Sequence, residues 1–400
     1  MKKAATTIYA LASASGKAGV AVVRISGPDA AQVASLLGFE LPAPRLATLA
    51  ALAHGAQAID RALVLWFPGP ASFTGEDVLE LHLHGSRAAL RLLFDAFAAS
   101  PALRLAEPGE FARRAFMGGK LDLAQAEGLA DLIDAETQAQ HRQALRQLGG
   151  EAAARLAGLR EAILTPLALL EATIDFPDEE IPAAVLDEAQ ADTARAADDI
   201  AALLDDGAIG EKIREGLEVV IFGPPNVGKS TLINRLARRD IAIVSPEPGT
   251  TRDLIEAHLD IGGYAVTLVD TAGLREAEGI EGEGIRRAGE RLASADLRLC
   301  LLSADAAMQQ YTEMKGQIDD NTLIIINKTD LAPVPALPVP AISLSLINDL
   351  GVDVLSIRAH ISQKMGVPSL APDYPPPAIA RRFSPPSSFS ANATSPGPSN

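Results

Sequence analysis

At 400 residues the chain is long enough for two to four domains, each with a buried core. It is 48% hydrophobic and 22% charged, and 35 basic against 51 acidic residues give a formal charge of −16, which excludes a generally basic coat for nucleic acid. The single cysteine, Cys300, excludes an intramolecular disulfide and a cysteine zinc cluster, and points to a reducing, cytoplasmic compartment. No run of eighteen apolar residues occurs, and Lys2 and Lys3 lead into a mixed Thr/Tyr/Ser stretch rather than a signal peptide, so a membrane-spanning protein is excluded.

Four compositional parts follow one another. Residues 1–118 mix β-rich runs, Gly19 to Ile25 and Val78 to Leu83, with Gly/Pro turns and an Ala/Leu helical stretch from Ser86 to Ala99, which reads as α+β. Residues 119–215 are rich in Ala, Leu and Glu. Within them Leu156, Leu159, Ile163, Leu167, Leu170 and Ile174 recur at the spacing of one helix face, with a kink or break expected at Pro166. Residues 216–365 alternate helices with strands predicted at Glu218–Phe222, Tyr264–Val269, Leu297–Leu302, Leu323–Ile326 and Ala341–Ser343, joined in part by an extended Pro333–Pro340 loop. Residues 366–400 hold nine Pro and seven Ser in 35 positions with three charges, a composition that reads as disordered because it cannot offset its ordering entropy.

Three of the predicted strands run directly into polar motifs, as ligands bound at the carboxyl ends of parallel strands require. The first motif is Gly223-Pro-Pro-Asn226-Val227-Gly228-Lys229-Ser230, followed by the helical Thr231-Leu-Ile-Asn-Arg-Leu. Its spacing is that of a phosphate-binding loop, with backbone N–H groups and a helix N-terminus around the phosphates, Lys229 reaching the β/γ oxygens and the Ser230 hydroxyl on Mg²⁺. Downstream stand Gly249-Thr250-Thr251-Arg252-Asp253, with a switch threonine for the metal, and Asp270-Thr271-Ala272-Gly273, with a carboxylate behind the metal and an N–H for the γ-phosphate. Asn327-Lys328-Thr329-Asp330 completes the set, because Asp330 accepts from guanine N1–H and the exocyclic amine, neither of which adenine offers. Any one motif alone reads equally well as a surface turn; in this order they specify GTP. Ser343-Leu344 stands where a Ser-Ala pair contacts the base, and a leucine there is expected to crowd the guanine.

These motifs, with Gly19-Val-Ala-Val-Val-Arg24-Ile-Ser-Gly, Phe73-Thr-Gly-Glu76-Asp-Val-Leu-Glu80-Leu, Pro108-Gly-Glu110-Phe, Gly119-Lys120-Leu-Asp122-Leu and Asp175-Phe-Pro, resemble the MnmE (TrmE) family of tRNA modification GTPases over roughly residues 5–360. The resemblance implies a multidomain fold: an N-terminal α+β folate-binding-type domain that also dimerises, a helical domain, and an α/β P-loop GTPase (Ras-like) domain inserted in the latter. It implies GTP hydrolysis coupled, with an FAD-dependent MnmG (GidA)-type partner, to adding an aminomethyl-type or carboxymethylaminomethyl group at C5 of the wobble uridine of certain tRNAs. The carbon donor would be a tetrahydrofolate derivative of the 5-formyl or 5,10-methylene type. Arg24, Glu80 and Lys120 would contact the folate; read as residues alone they are a strand-edge charge, a strand carboxylate and a solvated loop lysine. Asn226, Ser245, Thr250 and the carbonyl of Glu247 match the family's K⁺ positions, and Thr251 with Ser230 its Mg²⁺ positions. The catalytic glutamate falls on Glu281 or, since the loop is one residue short, on Glu283.

The family ends in more helices and a Cys-x-Gly-Lys motif. Here the Pro/Ser stretch takes that place, and Cys300, in a buried-strand run, reads as an inert thiol. The first half of the helical domain is therefore expected to lack packing partners, and a shifted reading frame is the hypothesis for the tail. The alternative functions are a regulatory GTP switch without modification chemistry and an inactive product that only binds GTP. Arg113, Arg114 and Lys120, and Arg235, Arg238 and Arg239, read as solvated faces rather than an RNA patch.

Overall fold

The computed structural model describes residues 6–175, 183–239, 256–270 and 281–347. The chain divides into two compact units, Met1–Gly210 and Glu211–Asn400. The Pro/Ser-rich tail lies outside the described residues.

In the first unit, six strands form one sheet in the order β3-β4-β5-β2-β1-β6: β1 Thr7–Leu11, β2 Ala18–Ser26, β3 Thr48–His54, β4 Gln57–Phe67, β5 Val78–Gly85 and β6 Leu103–Leu105. Only β1 and β6 pair in parallel. Alternation along β4 sends Ala62, Val64 and Trp66 into the core and leaves Leu63 half-exposed on the other face. The covered face packs on α1 (Gln32–Leu36) and α2 (Arg87–Ala98), with Leu93, Phe97, Val23, Ile25, Leu79 and Leu81 at its centre. Tyr9 closes the core against Phe94 and Phe97, at ring-centroid distances of 5.5 and 4.8 Å. Ser86 caps α2, its hydroxyl accepting from Ala89 N.

Helix α3 (Glu110–Met117) leads into a helical run: α4 Leu123–Asp134, α5 Gln138–Leu148, α6 Glu151–Asp175 and α7 Ala183–Glu215. Capping boxes start α4 (Asp122 with Gln125) and α5 (Thr137 with Gln140), a punctuation that composition hides. Helix α6 runs through Pro166 without a break. The proline cannot donate to the Ala162 carbonyl, while next to it the Thr165 hydroxyl donates to the Glu161 carbonyl. Leu156, Ile163, Leu167, Leu170 and Ile174 are exposed along α6 among the described residues.

The second unit holds a sheet in the order β12-β11-β10-β7-β9-β8: β7 Leu217–Phe222, β8 Glu256–Ile261, β9 Tyr264–Asp270, β10 Leu297–Ser303, β11 Thr322–Asn327 and β12 Ala341–Ser343. All pairs are parallel except β8–β9. Helices α8 (Lys229–Arg239), α9 (Glu281–Ser294) and α10 (Ala307–Met314) connect or flank the strands. The central strands are buried on both faces, which is why Val219–Phe222, Leu299–Leu302 and Leu323–Ile326 read as unbroken apolar runs. Cys300 lies wholly buried among them, and burial pushes its thiol up to about 12, so it is inert as expected.

Candidate functional site

At the carboxyl end of the second sheet, four strands deliver their motifs to one rim. After β7 the loop turns on Gly223 at φ +143, where a β-carbon would lie 2.2 Å from the Leu301 carbonyl oxygen. Asn226 adopts the left-handed region at φ 62, and at Gly228 a β-carbon would meet the Asn327 amide nitrogen at 2.6 Å. The backbone at these glycines thus packs too closely for side chains, as a loop whose N–H groups cradle a phosphate requires. Lys229 is buried, and its ammonium donates to the Gly223 and Pro224 carbonyls at 3.0 and 2.9 Å. It thereby holds the loop closed with a charge that a phosphate would attract. Ser230 opens the helix with Lys229, and its hydroxyl donates to Asp270 Oδ2 at 2.9 Å, so the hydroxyl and carboxylate expected around Mg²⁺ already adjoin.

Asn327 joins three segments. Its side-chain nitrogen donates to the Val227 carbonyl at 2.8 Å, and its side-chain oxygen accepts from Leu346 N at 3.1 Å. Lys328 then takes φ 63, and Thr329 N donates to the Leu344 carbonyl at 3.3 Å. Asp330 is exposed and accepts from the Ser345 hydroxyl at 2.5 Å.

That geometry corrects one expectation. The dipeptide beside the guanine-specific motif is Ser345-Leu346, not Ser343-Leu344. Leu344 is 1% exposed and its N–H donates to the Ile326 carbonyl, so its side chain is core and does not crowd a base. The Leu346 side chain instead packs 3.3 Å from the β-carbon position of Gly228.

Asn226, Val227, Gly228, Lys229, Ser230, Thr231, Asp270, Asn327, Lys328, Thr329 and Asp330 all fall on this rim. Ser245, Glu247, Thr250, Thr251, Thr271, Ala272 and Gly273 lie outside the described residues. Glu281 is the first residue of α9, and Glu283 is on the same helix.

A second cluster occupies the open face of the first sheet. Arg24 Nε donates to Glu80 Oε1 at 2.8 Å across the β2–β5 pair, and His82 Nε2 lies 3.4 Å from Glu80 Oε2. The guanidinium carbon of Arg24 sits 5.0 Å from the Phe73 ring centroid and 5.9 Å from that of Phe111. Lys120 is exposed, with Cε 3.3 Å from the β-carbon position of Gly75 in the Phe73–Glu76 loop. Arg24 and Glu80 are therefore a direct pair, and Lys120 comes to the loop that carries Phe73. The aromatic members Phe73 and Phe111 went unassigned in the sequence reading, although both lie inside motifs singled out there. Arg114 departs from a solvated face: its side chain is 13% exposed and pairs with Glu76 and Glu110 at 2.9 and 3.0 Å. Arg113 stays exposed beside Glu107.

The parallel sheet, the glycine loop, the Lys229–Ser230–Asp270 grouping and the Asn327–Asp330 motif define a P-loop GTPase. Family models match most of the chain: the GTP-binding protein TrmE N-terminus over residues 7–120, and the MnmE helical domain over residues 123–371, a span that encloses the GTPase sheet. A tRNA modification GTPase MnmE of Parvibaculum lavamentivorans is 48% identical over 375 residues, covering 92% of this chain and 84% of that protein. The namesake of Paramagnetospirillum magneticum is 50% identical over 356 residues, covering 87% and 80%. The chain belongs to the MnmE (TrmE) family. Among the described residues no helix is long and apolar enough to cross a membrane.

Proposed function

We propose that this chain hydrolyses GTP to drive modification of tRNA, the activity that the names of its relatives state. The observation that carries the GTP half is the Asn327 junction, which ties the phosphate loop to the guanine-specific strand end through Val227 and Leu346. Lys229 releases the Gly223 and Pro224 carbonyls and turns its charge to the β/γ oxygens. Ser230, with the Asp270 carboxylate behind it, would hold Mg²⁺, which would supply charge neutralisation at the phosphates. Thr251 would be a further ligand to that metal, and Thr271, Ala272 and Gly273 would follow the γ-phosphate. Asn226, Ser245, Thr250 and the Glu247 carbonyl would hold K⁺, which would add positive charge, and Glu281 would orient the attacking water.

The Arg24–Glu80 pair, flanked by Phe73 and Phe111, suits a flat, polar, partly anionic heterocycle: an aromatic wall, a carboxylate for ring N–H groups and a cation for carboxylate oxygens. That donor set fits a tetrahydrofolate derivative of the 5-formyl or 5,10-methylene type, with Lys120 at its edge. With an FAD-dependent MnmG (GidA)-type partner the chain then adds the aminomethyl-type or carboxymethylaminomethyl group at C5 of the wobble uridine. It acts in the cytoplasm as a homodimer joined through the N-terminal domain. We propose domain limits of 1–118, 119–215 and 216–365, with 366–400 as a separate tail.

The test is turnover of GTP and ATP by the full chain in KCl and in NaCl, with isothermal titration of 5-formyltetrahydrofolate. GTP-selective turnover that is faster in KCl, with saturable folate binding, supports the reading. Equal rates in the two salts reject the potassium role. Turnover without folate binding leaves a GTP switch that lacks the modification chemistry.

A further inference from the structure

The Phe73–Glu76 loop of the candidate folate cluster is tied into a connected ionic network. Glu76 accepts from Arg114 at 2.9 and 3.2 Å and from the Ser26 hydroxyl at 2.8 Å. Because Ser26 spends its one proton there, the buried Ser26–Thr74 contact of 2.7 Å has Thr74 as donor. Arg114 extends its fork to Glu110 at 3.0 Å and to the Thr6 carbonyl at 2.8 Å. Glu110 in turn is 2% exposed and bidentate with Arg104 at 2.6 and 2.8 Å. One guanidinium thus joins α3, the chain before β1 and the Phe73–Glu76 loop.

The loop so held is seated without slack. A β-carbon on Gly118 would lie 2.6 Å from the Thr74 carbonyl oxygen, and Gly75, at φ +80, faces the Lys120 stem. A shift of Glu76 therefore moves the neighbouring Gly75 backbone against which Lys120 rests.

We propose that Glu76 and Arg114 are positioning residues: their pairing sets the gap between the Phe73–Glu76 loop and Lys120, and so the fit of a reduced pterin ring in the cluster. This rests on the folate reading above. Lysine at 114 keeps the charge but lacks the fork that serves three acceptors, so it does not substitute.

The test measures binding of 5-formyltetrahydrofolate by calorimetry in the full chain, with melting temperature and GTP turnover alongside. Glu76→Gln and Arg114→Lys are expected to weaken binding about tenfold or more, and the milder Ser26→Ala about threefold, with GTP turnover unchanged. The diagnostic readout is coupling to Lys120. In a Lys120→Ala background, Glu76→Gln should cost less than about twofold further, because its effect passes through the seat of Lys120. Full additivity with Lys120→Ala, or binding within about twofold of wild type for Ser26→Ala and for whichever of the other two variants folds, overturns the proposal. Wild-type chain that turns over GTP but binds no folate overturns the underlying reading instead, and the clamp with it.

Discussion

Replacing Asn327 by alanine probes the junction on which the guanine site is built. The residue is 3% exposed and makes two side-chain hydrogen bonds, at 2.8 Å to the Val227 carbonyl and at 3.1 Å from Leu346 N. Alanine leaves both backbone groups buried without those partners, at about 1–3 kcal/mol each, or roughly 2–6 kcal/mol in all. Both bonds exist before nucleotide arrives, so the cost divides between the stability of this unit and its affinity. About half of it appearing in binding gives roughly a 10–100-fold weaker Kd. The other half lowers the melting temperature by several degrees, at about 2–4 °C per kcal/mol for a domain of this size. Titration with a fluorescent GDP analogue and a thermal melt of the same preparation read out both halves. Asn327→Asp is the paired control, since it keeps the acceptor for Leu346 N but turns a carboxylate toward the Val227 carbonyl. It should fail nearly as badly. A Kd within about threefold of wild type, together with an unchanged melt, refutes the junction.

Further outcomes follow from other contacts. Asp330→Asn should move base preference from GTP toward XTP, whose C2 carbonyl needs a donor, by about 100-fold or more in relative affinity, read by competition binding. Gly223→Ala places a methyl 2.2 Å from the Leu301 carbonyl at φ +143 and should abolish nucleotide binding while lowering the melting temperature. The Arg104 bonds hold the Glu110 carboxyl down at about 2, below its ordinary 4.5, so it stabilises fully above about pH 4.5. That contribution, roughly 2–3 kcal/mol, drains away as pH falls toward 2; urea titrations should show wild type and Glu110→Gln converging over that window and diverging at pH 6. Cys300, its thiol pushed up to about 12 by burial, should label with a disulfide reagent at pH 8 only on unfolding, so labelling should follow the denaturation curve.

Most of the GTPase sheet was legible in the sequence, because parallel strands buried on both faces are continuous apolar runs and three of them run directly into a motif. Glu256–Ile261 was not: it is an edge strand carrying Glu256, His258 and Asp260, and its pairing with β9 depends on tertiary context. The β3–β4 hairpin was missed because its Ala/Leu content favours helix, although its register, from His54 opposite Gln57 to Thr48 opposite Val64, is local in the chain. Ser343-Leu344-Ser345-Leu346 repeats one dipeptide, and only the bonds to Asp330 and Asn327 tell the two copies apart. Arg114 follows Arg113 and looks equally solvated in sequence. Its burial comes from Glu76, 38 positions away, and from Thr6, 108 positions away. The phosphate loop needed no such help, since Gly223, Gly228, Lys229 and Ser230 are local in the chain.

The most direct test of the account is mass spectrometry of tRNA nucleosides from cells in which this chain is the sole source of the activity, compared with the same cells carrying Asn327→Ala. The account predicts a C5-modified wobble uridine with the wild-type chain and its loss with the variant. Unmodified uridine in both, with the wild-type chain folded and hydrolysing GTP, would contradict it.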